Sequence, residues 1–363
     1  MTAPRVLILS ASIGEGHDLP ARVLADGLAL ERPDVHVRIE DGLLEMGWPI
    51  DRVVMGGSRF DSRAANVFYD IEYWCFTYAP PVRGLGGWLL DVLGGRGLLR
   101  LIEQERPDVI VSTYPGVTES LGRMRRRGAL EVPVASAITD LAALRYWAHP
   151  GVDLHLITHR ESTAEVRSIA PDSRIAWTNG LTSPEFLTPR DPTEARADLG
   201  LPPDGPIVAV SGGGWAVGDL AGAAEVALRV PDATVVCLCG RNDELRERLE
   251  RDFAGEPRLR AIGFTDRMGD WLAAADALVH STAGLTVLEA IIRGCAVVSY
   301  GWGRGHIRVN NHAYRRFGLA EVATTPAELG EALRRALASR PAPDLSYAQL
   351  RSAASAVLEL ARR

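Results

Sequence analysis

Short, uninterrupted apolar runs alternate along this chain with longer segments in which apolar residues recur every three or four positions. The first run, Val6-Leu7-Ile8-Leu9, lies between Arg5 and Ser10. Residues 19–31 follow, with Val23, Leu24 and Leu28 on one stripe, the spacing of an amphipathic helix. Further runs stand at 35–39, 109–112, 132–138 and 154–158. A second series has the same rhythm, at 206–211, 235–238, 259–262, 277–279 and 296–299. Helical patterns lie between these, at 243–253 and 285–293. Strands that are apolar throughout, rather than at every second position, are buried on both faces, as in a parallel sheet.

The two series are separated by a loop-rich stretch that holds Asn179-Gly180, Pro184, Pro189, Pro192, Gly200 and Pro202-Pro203. The pattern predicts an α/β chain of two tandem Rossmann-like, doubly wound domains. Residues 1–180 form the first and 190–340 the second, with a C-terminal helix in 341–363, most of it in the Ala- and Leu-rich stretch 347–362. Open α/β sheets bind ligands at the carboxyl ends of their strands, so the expected site is a cleft between the domains.

Composition narrows the function classes. Hydrophobic residues make up 47% and charged residues 24%, as in ordinary globular proteins. The net charge of −6 gives no basic footprint for nucleic acid. All 40 Lys+Arg cations are arginine. That removes the phosphate loop ending in Gly-Lys-Ser/Thr and every chemistry that needs a lysine Schiff base. Cys75, Cys237, Cys239 and Cys295 have no zinc or redox spacing, and Cys237 and Cys239 read as small buried hydrophobes. The first strand begins within about five residues of the start, with no basic-then-apolar leader before it, and no apolar run reaches about 20 residues. The expected compartment is the cytoplasm.

Three strand-to-helix junctions carry candidate chemistry. The first strand leads into Ser12-Ile13-Gly14-Glu15-Gly16-His17. Its glycines allow a tight turn, the third glycine of a dinucleotide fingerprint is missing, and His17 stands where an imidazole would take a proton from an acceptor hydroxyl. A histidine that only caps the helix or bonds to backbone fits the spacing too. The second domain opens with Ser211-Gly212-Gly213-Gly214-Trp215 and a helix expected near Val217. Its N–H groups suit a phosphate, and a plain turn is the other reading. The third junction is His280-Ser281-Thr282-Ala283-Gly284-Leu285, with Glu289 one turn into the following helix. There a carboxylate would accept ribose hydroxyls or merely favour the helix dipole. Without lysine, a diphosphate falls to helix ends, hydroxyls and arginines, and Arg241, Arg304 and Arg308 lie in loops on this side.

These residues together resemble a known set. Gly14 to His17, Pro107 to Ile110 leading to Ser112-Thr113, Thr139-Asp140 with Trp147, Gly263 to Met268, and Thr282 to Glu289 occur in an order similar to inverting glycosyltransferases of the GT-B architecture. The similarity is to the branch of monogalactosyldiacylglycerol synthase and processive diacylglycerol glucosyltransferase, and more distantly to the lipid I N-acetylglucosaminyltransferase. It runs from about residue 5 to residue 320. The resemblance implies a UDP-sugar donor on the second domain, a glycerolipid or other hydroxyl acceptor on the first, and no metal or other cofactor. It implies His17 or Asp140 as the base. It also implies that Phe264 and Thr265 lie at the uracil, Glu289 at the ribose, and Gly212, Gly213, Gly214, Thr282, Ala283, Gly284 and Leu285 at the diphosphate, with Arg241 near them. Gly14, Gly16, Trp74 and Trp147 are then acceptor-loop residues.

The chain also departs from that set. Where the family's sugar-contacting loop reads Pro-Gly-Gln-Glu and then Asn, this chain has Gly303-Arg304-Gly305-His306-Ile307-Arg308-Val309-Asn310. Asn310 survives as a donor contact. His306 and Ile307 replace the side chains that would bond sugar hydroxyls, His306 staying a candidate donor contact, and the change implies a changed donor choice. A retaining enzyme with a Glu-x7-Glu pattern would have a carboxylate at Ser281. The aromatics Phe68, Tyr69, Tyr73, Trp74, Phe76, Tyr78 and Trp88 suit a membrane interface or a packed helix pair. The cluster Arg123, Arg125, Arg126 and Arg127 suits lipid head groups or a solvated helix end. Peripheral contact with the inner face of the membrane is therefore expected if the acceptor is a lipid. A soluble natural-product acceptor, a UDP-sugar 2-epimerase and a binding protein without turnover are the competing readings.

Overall fold

The computed structural model describes residues 3–12, 15–47, 79–301 and 305–362. The chain divides into two compact units, residues 1–183 with 350–363, and residues 184–349. Trp74, Cys75 and the aromatics from Phe68 to Tyr78 lie outside the described residues, as do Gly14 and Arg304.

The first unit runs β1 (Arg5–Ser10), α1 (Glu15–Glu31), β2 (His36–Asp41), α2 (Gly42–Met46), α3 (Pro80–Glu105), β3 (Val109–Ser112), α4 (Pro115–Arg126), β4 (Val134–Ile138), β5 (Leu154–Ile157), α5 (Thr163–Ile169) and β6 (Arg174–Trp177). The second runs α6 (Pro192–Asp198), β7 (Ile207–Ser211), α7 (Leu220–Ala227), β8 (Thr234–Leu238), α8 (Asp243–Asp252), β9 (Leu259–Ile262), α9 (Met268–Ala274), β10 (Ala277–His280), α10 (Leu285–Ile292), β11 (Ala296–Tyr300), α11 (Gly305–Phe317), β12 (Glu321–Ala323) and α12 (Pro326–Ala338). The last helix, α13 (Ala353–Leu360), returns to the first unit.

Each unit holds a six-stranded parallel sheet, ordered β2-β1-β3-β4-β5-β6 in the first and β12-β11-β10-β7-β8-β9 in the second. The central strands are buried along their whole length, which is why they read as continuous apolar runs. Helices cover both faces. In the first unit Leu24 and Leu28 of α1 pack with Val357 and Leu358 of α13 on one face. Leu43, Leu98, Val117 and Leu121 pack on the other. The arrangement is the doubly wound α/β architecture expected from the sequence.

Three boundaries differ from the sequence reading. α1 begins at Glu15 rather than near residue 19, so His17 is inside its first turn. The helix after the second domain's glycine loop begins at Leu220 rather than near Val217, because Asp219 caps it there by accepting from Gly222 N–H. The C-terminal stretch is a 3₁₀ turn at Tyr347–Gln349 followed by the shorter α13, which Ser352 caps.

Candidate functional site

Two clusters of side chains sit at carboxyl ends of strands, one in each unit. In the first unit β1 ends at Ser10, whose hydroxyl donates to Asp18 on α1 at 2.6 Å. That bond pins the first turn of α1, and with it His17. The His17 ring Nδ1 is 2.9 Å from the Thr113 carbonyl oxygen, just beyond β3. A carbonyl only accepts, so Nδ1 carries the proton and Nε2 is the basic atom of the neutral ring. Tyr114 meets the imidazole edge-on at 5.1 Å between centroids. Trp147 meets it at 5.6 Å, tilted by 43°. Asp140, on the loop after β4, accepts the Trp147 indole N–H at 3.0 Å. The structure thus brings His17 together with Asp140 and Trp147, which the sequence reading placed in a different motif. Trp147 is only 3% exposed, so it lies in the wall of this cluster. Gly16 is exposed in the first turn of α1, and a Cβ there would meet nothing within 4 Å.

The four arginines at the end of α4 were read as suited either to lipid head groups or to a solvated helix end. Arg123 pairs with Glu119 at 2.8 Å. Arg125 pairs with Asp153 at 2.7 Å and donates to the Glu131 carbonyl at 2.8 Å. Those two guanidinium groups are engaged in ion pairs of the first unit itself. In the described part of the aromatic stretch, Leu85, Trp88, Val92 and Leu93 of α3 are exposed. Among the described residues no helix is long and apolar enough to cross a membrane.

In the second unit the loops after β7, β8 and β10 meet. The Arg241 N–H donates to the Gly214 carbonyl at 2.8 Å, and the Ser281 hydroxyl donates to the Val217 carbonyl. A Cβ at Gly212 would lie 2.3 Å from the Val217 oxygen, so only glycine permits this closure. The Gly212–Gly214 loop therefore closes on itself, with Val217 N–H donating to the Gly212 carbonyl at 2.9 Å. It does not lead straight into a helix. The next helix already carries a carboxylate at its cap, Asp219, which opposes an anion there.

The start of α10 is different. Gly284 is its N-cap, at φ 98° and ψ −149°, and no side chain caps the helix. That conformation belongs almost exclusively to glycine. Main-chain N–H groups of the first turn, at the end of a central strand, form an anion-binding pattern. Thr282 and Ala283 lead into it, Leu285 begins the helix, and a Cβ at Gly213 would lie 3.7 Å from Thr282 Oγ1. Thr282 Oγ1 is 2.7 Å from His280 Nε2. Burial pushes His280 down to about 4, so this imidazole is neutral. His280 was part of the motif but was given no role from the sequence.

Glu289 lies one turn into α10 and is buried. Burial, and after it the Glu289 charge, push the Tyr347 phenol up. Arg241 stacks its guanidinium over the Phe264 ring, 4.0 Å from the centroid, and Phe264 is 53% exposed. Thr265 accepts from the Arg267 N–H at 3.0 Å in the same turn. Asn310 is buried on α11, and its amide donates to the His306 carbonyl one turn back at 2.9 Å. His306 is partly buried and Arg308 exposed on the same helix.

Comparison with known proteins gives the following. The profile of monogalactosyldiacylglycerol (MGDG) synthase matches residues 89–180, and that of glycosyl transferases group 1 matches residues 216–339. A processive diacylglycerol beta-glucosyltransferase of Staphylococcus saprophyticus is 25% identical over 89% of this chain and 82% of its own length. Among solved structures, MurG of Acinetobacter baumannii has a TM-score of 0.60 at 16% identity, covering 99% of each chain. A UDP-glucosyltransferase of Polygonum tinctorium has a TM-score of 0.59 at 13% identity, again covering 99% of each.

Proposed function

We propose that this glycosyltransferase of the GT-B fold moves a sugar from a UDP-sugar to a hydroxyl of a lipid acceptor, with inversion at the anomeric carbon. The observation that carries the reading is His17. Its Nδ1–H is tied to the Thr113 carbonyl at 2.9 Å, which leaves Nε2 as the basic atom. In this reading the acceptor oxygen attacks the anomeric carbon on the face opposite the diphosphate. The new C–O bond forms as the bond to the phosphate oxygen breaks. The hydroxyl proton goes to His17 Nε2, and UDP leaves with the bonding electrons.

The second unit holds the donor. The first turn of α10, with Gly284 at its cap, stabilises the charge that develops on the leaving diphosphate. Arg241 and Phe264 offer a stacking surface for the base, and no metal is required. Glycerolipid as acceptor is favoured by the relatives matched over most of the chain, which are processive diacylglycerol beta-glucosyltransferases. The exposed apolar residues of α3 are consistent with contact at a membrane surface. A nucleotide-sugar donor and activity at the cytoplasmic face complete the reading.

The test is UDP release over a matrix of nucleotide sugars and lipid extracts, followed by product mass and anomeric configuration. A glycolipid of inverted configuration is expected. Epimerised sugar formed from donor alone, without acceptor, would overturn the reading in favour of an isomerase. UDP release only with soluble aglycones would overturn the lipid assignment.

A further inference from the structure

The geometry points to Asp140 and Trp147 as positioning residues: Asp140 anchors the Trp147 indole, and the indole holds the His17 imidazole with Nε2 as its basic atom. The inference rests on the reading of His17 as the base, and it removes Asp140 as a competing base.

The loop that carries these residues is fixed before the indole is considered. Ala143 takes a left-handed backbone, φ 68°. Leu144 N–H donates to the Glu165 carboxylate at 2.8 Å, and the Ser162 hydroxyl donates to the Leu141 carbonyl at 2.8 Å. The Trp147 carbonyl accepts from the Ser136 hydroxyl at 3.1 Å. Trp147 is thus held by its own main chain from β4 and through its loop by the start of α5. The indole N–H is a donor only, and its partner is Asp140 Oδ2 at 3.0 Å. One part of the ring packs with Ile138, Leu144, Ile157 and Val166. The ring also approaches His17, with 5.6 Å between centroids, while Tyr114 meets the imidazole edge-on. Two aromatic contacts and the Thr113 carbonyl together fix the tilt of the ring.

Asp140 is poorly placed to accept a proton from an acceptor. It is 9% exposed, and one of its oxygens already receives the indole proton. Its carboxylate serves the arrangement in the way the buried acid of a catalytic triad serves its histidine, here acting through an indole. The anchoring needs an acceptor oxygen rather than a base, so an amide should substitute for the acid.

The experiment uses the full chain with 15N-labelled histidine, the His17 ring signals being assigned by their loss in His17→Gln. Wild type is expected to show the neutral tautomer protonated on Nδ1. Asp140→Asn should keep that tautomer and stay within about threefold of the wild-type kcat. Asp140→Ala and Trp147→Phe should give mixed tautomers and lose about tenfold or more in kcat, with the donor KM unchanged. Near-ultraviolet circular dichroism identifies a variant that fails to fold, and the Asn/Ala contrast at Asp140 then decides without Trp147→Phe. A loss of about a thousandfold in Asp140→Asn with the tautomer intact would overturn the proposal by making Asp140 the base. So would a wild-type tautomer and kcat in Asp140→Ala. If the wild type transfers no sugar to any acceptor, the functional reading fails, and the tautomer measurement still decides whether Trp147 holds His17.

Discussion

The Arg241 guanidinium lies 4.0 Å above the centroid of Phe264, although the two residues follow different strands, β8 and β9. The Arg241 main chain is tied to the Gly214 carbonyl, which fixes the root of its side chain. The stack is a flat surface at the carboxyl end of the sheet, suited to a planar base. Removing either partner removes the same surface. Arg241→Ala and Phe264→Ala are each expected to weaken UDP binding by about threefold to fivefold, and the double variant hardly more. Titration calorimetry with UDP reads this directly. Losses that multiply in the double variant would mean the two residues act separately.

Gly284 holds a backbone conformation that a residue with a Cβ rarely adopts. At φ 98° and ψ −149° a Cβ is strained by about 1–3 kcal/mol. Gly284→Ala should lower the melting temperature and also weaken UDP binding, because the first turn of α10 shifts with it. Gly16→Ala is the contrast. Its Cβ would meet nothing within 4 Å, in the first turn of a helix. That variant should melt at or slightly above the wild-type temperature, by up to about 1 kcal/mol in stability. A Gly284→Ala variant with unchanged UDP affinity would remove the helix start from the donor site.

His17→Ala should lower kcat by about a hundredfold to ten-thousandfold while the affinity for UDP stays the same. His17 is only partly buried, so the melting temperature should barely move. Activity should also survive a chelator, since main-chain N–H groups hold the diphosphate in the proposed mechanism. A His17→Ala variant of steady activity across the donor panel excludes His17 as base, and loss of activity with a chelator, restored by a divalent cation, excludes a metal-free donor site.

The parts of the fold that could be read in the sequence are those with one dominant physical cause. β1, β3, β7, β10 and β11 are central strands, buried on both faces, so each is a continuous apolar run. β6, reading Arg174-Ile175-Ala176-Trp177, and β12, only three residues long, are edge strands and escaped notice. They are partly exposed, and their pairing is set by the neighbouring strand rather than by their own pattern. In the site, His17, Gly284 and Glu289 were legible because a strand, a small-residue turn and a helix start follow one another in the sequence. The link from Asp140 through Trp147 to His17 was not. It joins residues more than a hundred positions apart, and no periodicity records an indole hydrogen bond. The start of α7 was misplaced for a related reason. The glycines at 212–214 look like a helix start, and only the backbone shows that the loop closes on Val217 before Asp219 caps the helix.

Burial sets the acid limit of stability. His155, His159 and His280 are buried, and desolvation is the first cause that pushes each of them down to about 4. In the unfolded chain each would protonate near its ordinary value of about 6.5. Between those two values the unfolded state binds more protons than the folded state, so stability falls as the pH falls. The loss begins near pH 6.5, grows down to about pH 4 and is complete below it. Each histidine accounts for up to about 3 kcal/mol, a ceiling that local relaxation reduces. Urea midpoints between pH 7.5 and 4.5 should therefore drop steadily. His159 is the cleanest of the three to remove, since its shift has burial as its only cause. His159→Gln should lower stability at pH 7.5 and make its fall with acid shallower by up to one proton. A pH dependence as steep in His159→Gln as in wild type would show that this imidazole titrates alike in the folded and unfolded states.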